Sequence, residues 1–170
     1  MYTILITGDF CVGKDLVADI MCGYDTPTNK ILSYTTRSPR YEGENTHEFC
    51  SKEEFFAFDD IVAQTQIGDE YYGARASQFR DDSVNIYVVD NKGVIDILNS
   101  DIEHVAVVEV VRPAWLRECP QIRQQRDRHY EDQKIDIDYR IMNTGDKNWL
   151  EGLCKDCFDY VANMYRHELI

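Results

Sequence analysis

The chain has 170 residues, 44% of them hydrophobic and 29% charged, and its 18 basic and 31 acidic side chains leave a formal net charge of −13. That length suits one domain with room for a small insert, and it buries enough surface to fold without disulfides. The acidic balance excludes a protein that coats nucleic acid, because counterion release needs a basic surface. The longest apolar run, Val105 to Val111, is interrupted by Glu109 and falls far short of a membrane span.

In chain order, Tyr2 to Thr7 is a short apolar, β-branched run of the kind a buried parallel strand needs. Leu16, Val17, Ile20 and Met21 follow at helical spacing. Lys30–Tyr34, Asn85–Val89 and Glu103–Val111 read as the second, third and fourth strands, and Ile135–Met142 alternates like a fifth strand at an edge. Helices are expected over Lys92–Asn99, Ala114–Gln133 and Asp146–His167. Strands separated by helices imply right-handed βαβ units, an α/β fold with a parallel sheet covered on both faces. The stretch from about Thr35 to Arg80 breaks this rhythm with polar turns, a short helix (Lys52–Phe58) and aromatic strand-like pieces, and reads as an insert on the core. Six cysteines (Cys11, Cys22, Cys50, Cys119, Cys154, Cys157), behind an N-terminus without a basic signal region, predict reduced thiols in a cytoplasmic protein. Cys154 and Cys157, three apart on a helix, read as buried thiols and not as half of a zinc site.

The first strand runs into Gly8-Asp9-Phe10-Cys11-Val12-Gly13-Lys14-Asp15 and then at once into a helix. This is G-x-x-x-x-G-K in the setting a phosphate-binding loop requires, strand before and helix after. Its glycines let the backbone turn so that N–H groups face phosphate oxygens. The helix N-terminus adds positive potential, and Lys14 reaches the β- and γ-phosphates. Where a Ser or Thr hydroxyl usually meets Mg2+, this chain has Asp15, whose carboxylate either serves the ion, directly or through a water, or repels the triphosphate. Asp90, ending the third strand, is either part of the ion's outer coordination sphere or a helix cap.

A second anion site is suggested by Ser33-Tyr34-Thr35-Thr36-Arg37-Ser38-Pro39-Arg40, which sets two arginines three apart just past a strand end. The guanidinium fork suits bidentate phosphate binding. One phosphate loop plus an arginine pair on an insert describes phosphoryl transfer between two nucleotides.

In these pieces the sequence resembles the guanylate kinases. The phosphate loop, Ser33 with Arg37 and Arg40, Gly43-Glu44, Phe49, Glu54-Phe55, Tyr71-Tyr72-Gly73 and Asp90-Asn91-Lys92-Gly93 follow in that family's order. The Gly-Lys-Asp ending of the loop is similar to that of the deoxynucleoside monophosphate kinases of bacterial viruses. The resemblance implies a three-layer P-loop NTPase fold, a five-stranded, mostly parallel sheet carrying a nucleoside monophosphate-binding insert. The core would be 1–34 and 81–170, with a short lid at about 112–128, and the insert 35–80. It implies ATP with Mg2+ on the loop, and Arg37, Arg40 and Tyr72 on the acceptor's phosphate. Ser33 and Asp90 would lie near the acceptor's base and sugar, and the lid arginines Arg117, Arg123 and Arg126 would be catalytic.

Departures from the family are informative. Its second phosphate-binding tyrosine is matched by His47, which otherwise reads as a plain surface histidine. Its guanine-binding glutamate, about nine residues before the second tyrosine of Tyr-Tyr-Gly, falls on Ala63, or on Gln64 after a one-residue slip. Neither is a carboxylate, so the acceptor site is expected to select guanine less strictly. The expected partners are ATP and a nucleoside monophosphate, GMP or dGMP first, with no nucleic-acid polymer and no membrane, in a monomer or homodimer. Another deoxynucleoside monophosphate, such as dTMP or a modified pyrimidine, and a non-catalytic guanylate-kinase-like binding module remain as alternatives.

Overall fold

A computed structural model describes residues 2–118 and 134–166. Thr3–Thr7 (β1) is buried along its whole length and lies at the centre of the main sheet, which explains why it reads as an unbroken apolar run. It pairs on one side with Val84–Val88 (β7) and on the other with Val105–Val111 (β8). Thr28–Ile31 (β2) and Tyr139–Met142 (β9) complete the two edges, giving the order β2-β7-β1-β8-β9 with every pairing parallel. Alternate residues of β1 feed opposite layers. Ile4 and Ile6 pack with Val17 and Met21 of Lys14–Cys22 (α1) and with Leu150 and Phe158 of Lys147–Arg166 (α4). Leu5 packs on the other face with Val94 and Ile97 of Asn91–Leu98 (α3).

A second, four-stranded sheet rises from the stretch expected to be an insert. It is built from Tyr34–Thr35 (β3), Glu48–Phe49 (β4), Ile61–Ile67 (β5) and Glu70–Arg75 (β6), in the order β4-β3-β6-β5. Lys52–Ala57 (α2) precedes β5, its start fixed by a reciprocal cap in which Ser51 and Glu54 bond each other's backbone N–H.

Three expectations are corrected. The strand expected over residues 30–34 ends at Ile31, because Tyr34 leaves the main sheet to pair with Glu48 and Gly73. The fifth strand starts at Tyr139, not Ile135; just before it, the Asp138 carboxylate takes the Val107 N–H (2.7 Å) in place of a backbone carbonyl. The helix expected from Ala114 is a single 3-10 turn, Ala114–Leu116, with Arg117 and Glu118 outside any helix; its remainder, to residue 133, lies outside the described residues. No helix among the described residues is long and apolar enough to cross a membrane.

Candidate active site

The loop between β1 and α1 closes on itself through two glycines that no other residue replaces without strain. Gly8 has φ +136°, and a Cβ there would lie 2.3 Å from the Val110 carbonyl oxygen. Gly13 has φ +97°, and a Cβ there would lie 2.5 Å from the Asn143 amide nitrogen. Lys14 folds back over the loop, donating from Nζ to the carbonyls of Gly8 (2.7 Å) and Asp9 (2.6 Å), with the Phe10 ring 5.6 Å beneath it. Val12 is buried and anchors the loop. Cys11, at φ +62°, supplies its one non-glycine residue in the left-handed region. Asp15 is exposed in the first turn of α1 and has no hydrogen-bond or ion-pair partner among the described residues.

Two residues far along the chain brace this loop. The buried Asn143 amide donates to the Val12 carbonyl (2.8 Å), while its oxygen accepts from Arg112 (3.2 Å) and from the Gly145 N–H (3.0 Å). Arg117 reaches the loop from the other side, pairing with the Asp9 carboxylate at 2.8 Å. Of the three lid arginines, Arg117 thus stands at the phosphate loop; Arg123 and Arg126 lie outside the described residues.

The arginine pair is organised by a residue that motif reasoning did not place in the site. Glu44, buried, takes a two-pronged bond from Arg37, Nη2 to Oε1 at 2.9 Å and Nη1 to Oε2 at 3.1 Å. It also accepts from the Arg40 backbone N–H (2.6 Å) and the Thr46 hydroxyl (2.8 Å). Arg37 and the Arg40 amide together hold its carboxyl far below the usual carboxylate range. Arg37 stacks over Phe49 at 5.2 Å, and its Nε is buried without a partner among the described residues. The Arg40 side chain is 53% exposed and only 3.8 Å from Glu44, so it remains available to an incoming anion. His47 is not a plain surface residue: it is half-buried, with its ring edge-on to Tyr72 at 5.7 Å. Burial and then Arg37 lower the pKa of His47 below its ordinary value, and the Asp15 carboxylate at the start of α1 opposes them weakly.

At the far end, Ser33 shares a 2.9 Å hydrogen bond with the buried Tyr87 hydroxyl. Asp90 caps α3 through the Gly93 N–H (2.8 Å), so the cap is what the structure places there, and the same Oδ1 accepts from the Thr65 hydroxyl (3.1 Å). Gln64 does not join this group. Ala63, at φ +56°, forms a bulge in β5 that buries Ala63 and Thr65 and leaves Gln64 exposed, its carbonyl accepting from Lys92 (2.6 Å). Thr65, opposite Tyr72, takes the inward position.

The fold as a whole is similar to that of a solved structure. The crystal structure of guanylate kinase from Anaplasma phagocytophilum is similar over 96% of this chain and 85% of that one, with a TM-score of 0.70 and 19% sequence identity. This is a guanylate kinase-like P-loop fold. No protein-family model matches the sequence, and no curated protein does.

Within the guanylate kinase-like fold, three polar residues escaped sequence reasoning as site residues: Glu44, Thr65 and Asn143. Glu44 had a signal, an acid within one loop of two arginines in a chain that must not bury a carboxylate unpaired. Asn143 had only the weak end of the family resemblance, and Thr65 had none, since a bulge in β5 places it. Cys154 and Cys157 are buried in α4, and burial raises both thiols, Cys154 to about 12, so neither is a reactive thiolate near neutral pH. No cluster of three metal-ligating side chains occurs among the described residues.

Proposed function

We propose that the chain is an ATP-dependent nucleoside monophosphate kinase. The observation that carries this reading is the presence in one chain of two anion sites, the glycine-turned Gly8–Lys14 loop between β1 and α1 and the Arg37–Arg40–Tyr72 cluster on the second sheet. The loop takes the triphosphate: its N–H groups and the start of α1 hold the β-phosphate, and Lys14 leaves its two carbonyls for the β- and γ-phosphate oxygens. Arg40, His47 and Tyr72 receive the acceptor's phosphate, while Glu44 holds the Arg37 fork in a two-pronged bond beside them. An acceptor phosphate oxygen then bonds the γ-phosphorus as the bond to the bridging β–γ oxygen breaks, releasing ADP. Positioning and positive charge supply the catalysis. To Arg117, which pairs with Asp9 of the loop, this reading gives the role of neutralising the transferring group.

Asp15 fits Mg2+, an ion that binds one or two carboxylates together with substrate phosphates, because its oxygens are unengaged and stand at the helix start. Held by Asp15, Mg2+ would supply positive charge against the negative charge that develops on the transferring phosphoryl group. Asp90 is less suited, since one oxygen already serves Gly93 and Thr65.

The acceptor reading is GMP or dGMP, with Ser33, Thr65 and Asp90 at the base and sugar. A second reading, a deoxypyrimidine monophosphate such as dTMP, is favoured by one observation: the inward position on β5 is a threonine hydroxyl where guanine's N1–H and 2-amino donors call for a carboxylate. Coupled measurement of ADP release with GMP, dGMP, dTMP and the other common monophosphates tests both. Turnover with GMP or dGMP above the rest supports the first reading and dTMP above them the second. ATP binding without turnover of any monophosphate would instead point to a binding module.

A further inference from the structure

We propose that His47 takes up a proton when an acceptor's phosphate enters the Arg37–Arg40–Tyr72 cluster, so that acceptor binding is proton-linked near neutral pH. The proposal deepens the kinase reading and rests on it.

The hydrogen-bond chain around His47 fixes which nitrogen can titrate. Glu44, held ionised by Arg37 and the Arg40 amide, is an acceptor only, so the single Thr46 hydroxyl hydrogen is committed to it at 2.8 Å. The Thr46 oxygen lies 2.9 Å from Nδ1 of His47 and, having spent its hydrogen, must accept there. The neutral ring is therefore the Nδ1–H tautomer, and Nε2 carries the free lone pair. The Arg37–Glu44 clasp thus sets the tautomer of the histidine through one threonine.

Charges reach this ring from every side of the cluster. Burial and then Arg37 favour the neutral form; Glu44 opposes them, Arg40 adds to them, and Asp15 from α1 opposes them least. Tyr72 from β6 and Phe49 from β4 pack on it as rings, at 5.7 and 6.1 Å, without charge. Together these influences lower the ring's pKa below its ordinary value and so favour the neutral form in the free protein. A phosphate dianion seated among the two arginines adds about two negative charges beside Nε2 and reverses the field there. Protonated, Nε2 becomes a further donor to the phosphate. Between the ring's pKa in the free protein and its higher value in the complex, binding takes up a proton, and affinity falls as pH rises, by at most about tenfold per unit.

Calorimetry of the full chain with GMP, dGMP and dTMP, at pH 7 in buffers of different ionisation enthalpy, counts the protons exchanged. The acceptor's own second ionisation, near pH 6, contributes equally to wild type and variant and cancels in their difference. Wild type is expected to take up about half a proton or more beyond His47→Gln and beyond His47→Tyr, which keeps a ring. In wild type alone, the His47 ring signal in NMR should titrate at higher pH when acceptor is saturating. Equal proton counts with binding retained, or a ring titration that acceptor leaves in place, would overturn the proposal and leave the kinase reading standing. If neither these three nor any other common monophosphate binds wild type, the proposal falls together with that reading.

Discussion

Arg117 and Asp9 meet in a 2.8 Å ion pair that ties the chain beyond β8 to the phosphate loop. Arg117 is also held from behind, Nε to the Arg112 carbonyl at 2.9 Å, so its guanidinium is positioned before any nucleotide arrives. With side chains 54% and 23% exposed, the pair contributes little to stability, below about 1 kcal/mol. Asp9→Asn should therefore leave the melting temperature nearly unchanged while lowering kcat, because an unheld arginine is spread over more orientations. Equal kcat in Asp9→Asn and wild type would show that the pair does not position Arg117 for the reaction.

Lys14→Ala should abolish turnover, a loss of about 10²–10³-fold, since Lys14 is the loop's own cation for the β- and γ-phosphates. The Lys14 amine bonds carbonyls of the loop and lies outside both hydrophobic cores, so the fold should survive, which circular dichroism checks. In the companion variant Asp15→Ser, Mg2+-dependent activity should be kept or raised if the carboxylate stands in for a hydroxyl. Near-wild-type activity in Lys14→Ala would remove the loop from the mechanism.

Arg40 and Arg37 should behave differently although both belong to one site. Arg40→Ala removes a half-exposed side chain but keeps the backbone N–H that serves Glu44, so it should raise the acceptor KM about tenfold or more and leave the ATP KM nearly unchanged. Arg37→Ala strands the buried Glu44 carboxylate and should lose stability as well. The Glu44 carboxyl is depressed in the folded protein, so its stabilisation is full above the unfolded value of about 4.3 and drains away as pH falls below it. Urea midpoints measured from pH 6 down to pH 3 should accordingly fall less steeply in Glu44→Gln than in wild type.

The bulge at Ala63 buries Thr65 against Asp90 and leaves Gln64 exposed, so on the proposed kinase reading Thr65 is the β5 residue to test at the acceptor's base. Thr65→Val should change the ranking of kcat/KM among GMP, dGMP and dTMP, while Gln64→Ala should not. Pockets that read a base through few polar groups discriminate by only about 10–200-fold, and the wild-type ranking is expected within that range. A shift produced by Gln64→Ala and not by Thr65→Val would reverse the assignment.

Much of this protein was readable before folding. The run Tyr2–Thr7 announced a central strand because both faces of a parallel sheet are dry, and Gly8, Gly13 and Lys14 announced a phosphate loop because few other residues permit that backbone. Strand–helix alternation then predicted the parallel sheet, through the period of side chains along a strand and around a helix. Local rules also placed Arg37 and Arg40 past a strand end. What they could not supply were relations between segments. A single-residue bulge, invisible in a composition of small and polar residues, decided that Thr65 turns inward and Gln64 outward, because side-chain direction in a strand inverts with each added residue. Only the packed chain could show that Glu44 fills the Arg37 fork, that Asn143 props the Val12 carbonyl and that Asp9 holds Arg117. Each is a pairing of polar groups that burial or proximity enforces, and the partner is chosen by the fold, not by neighbours in sequence.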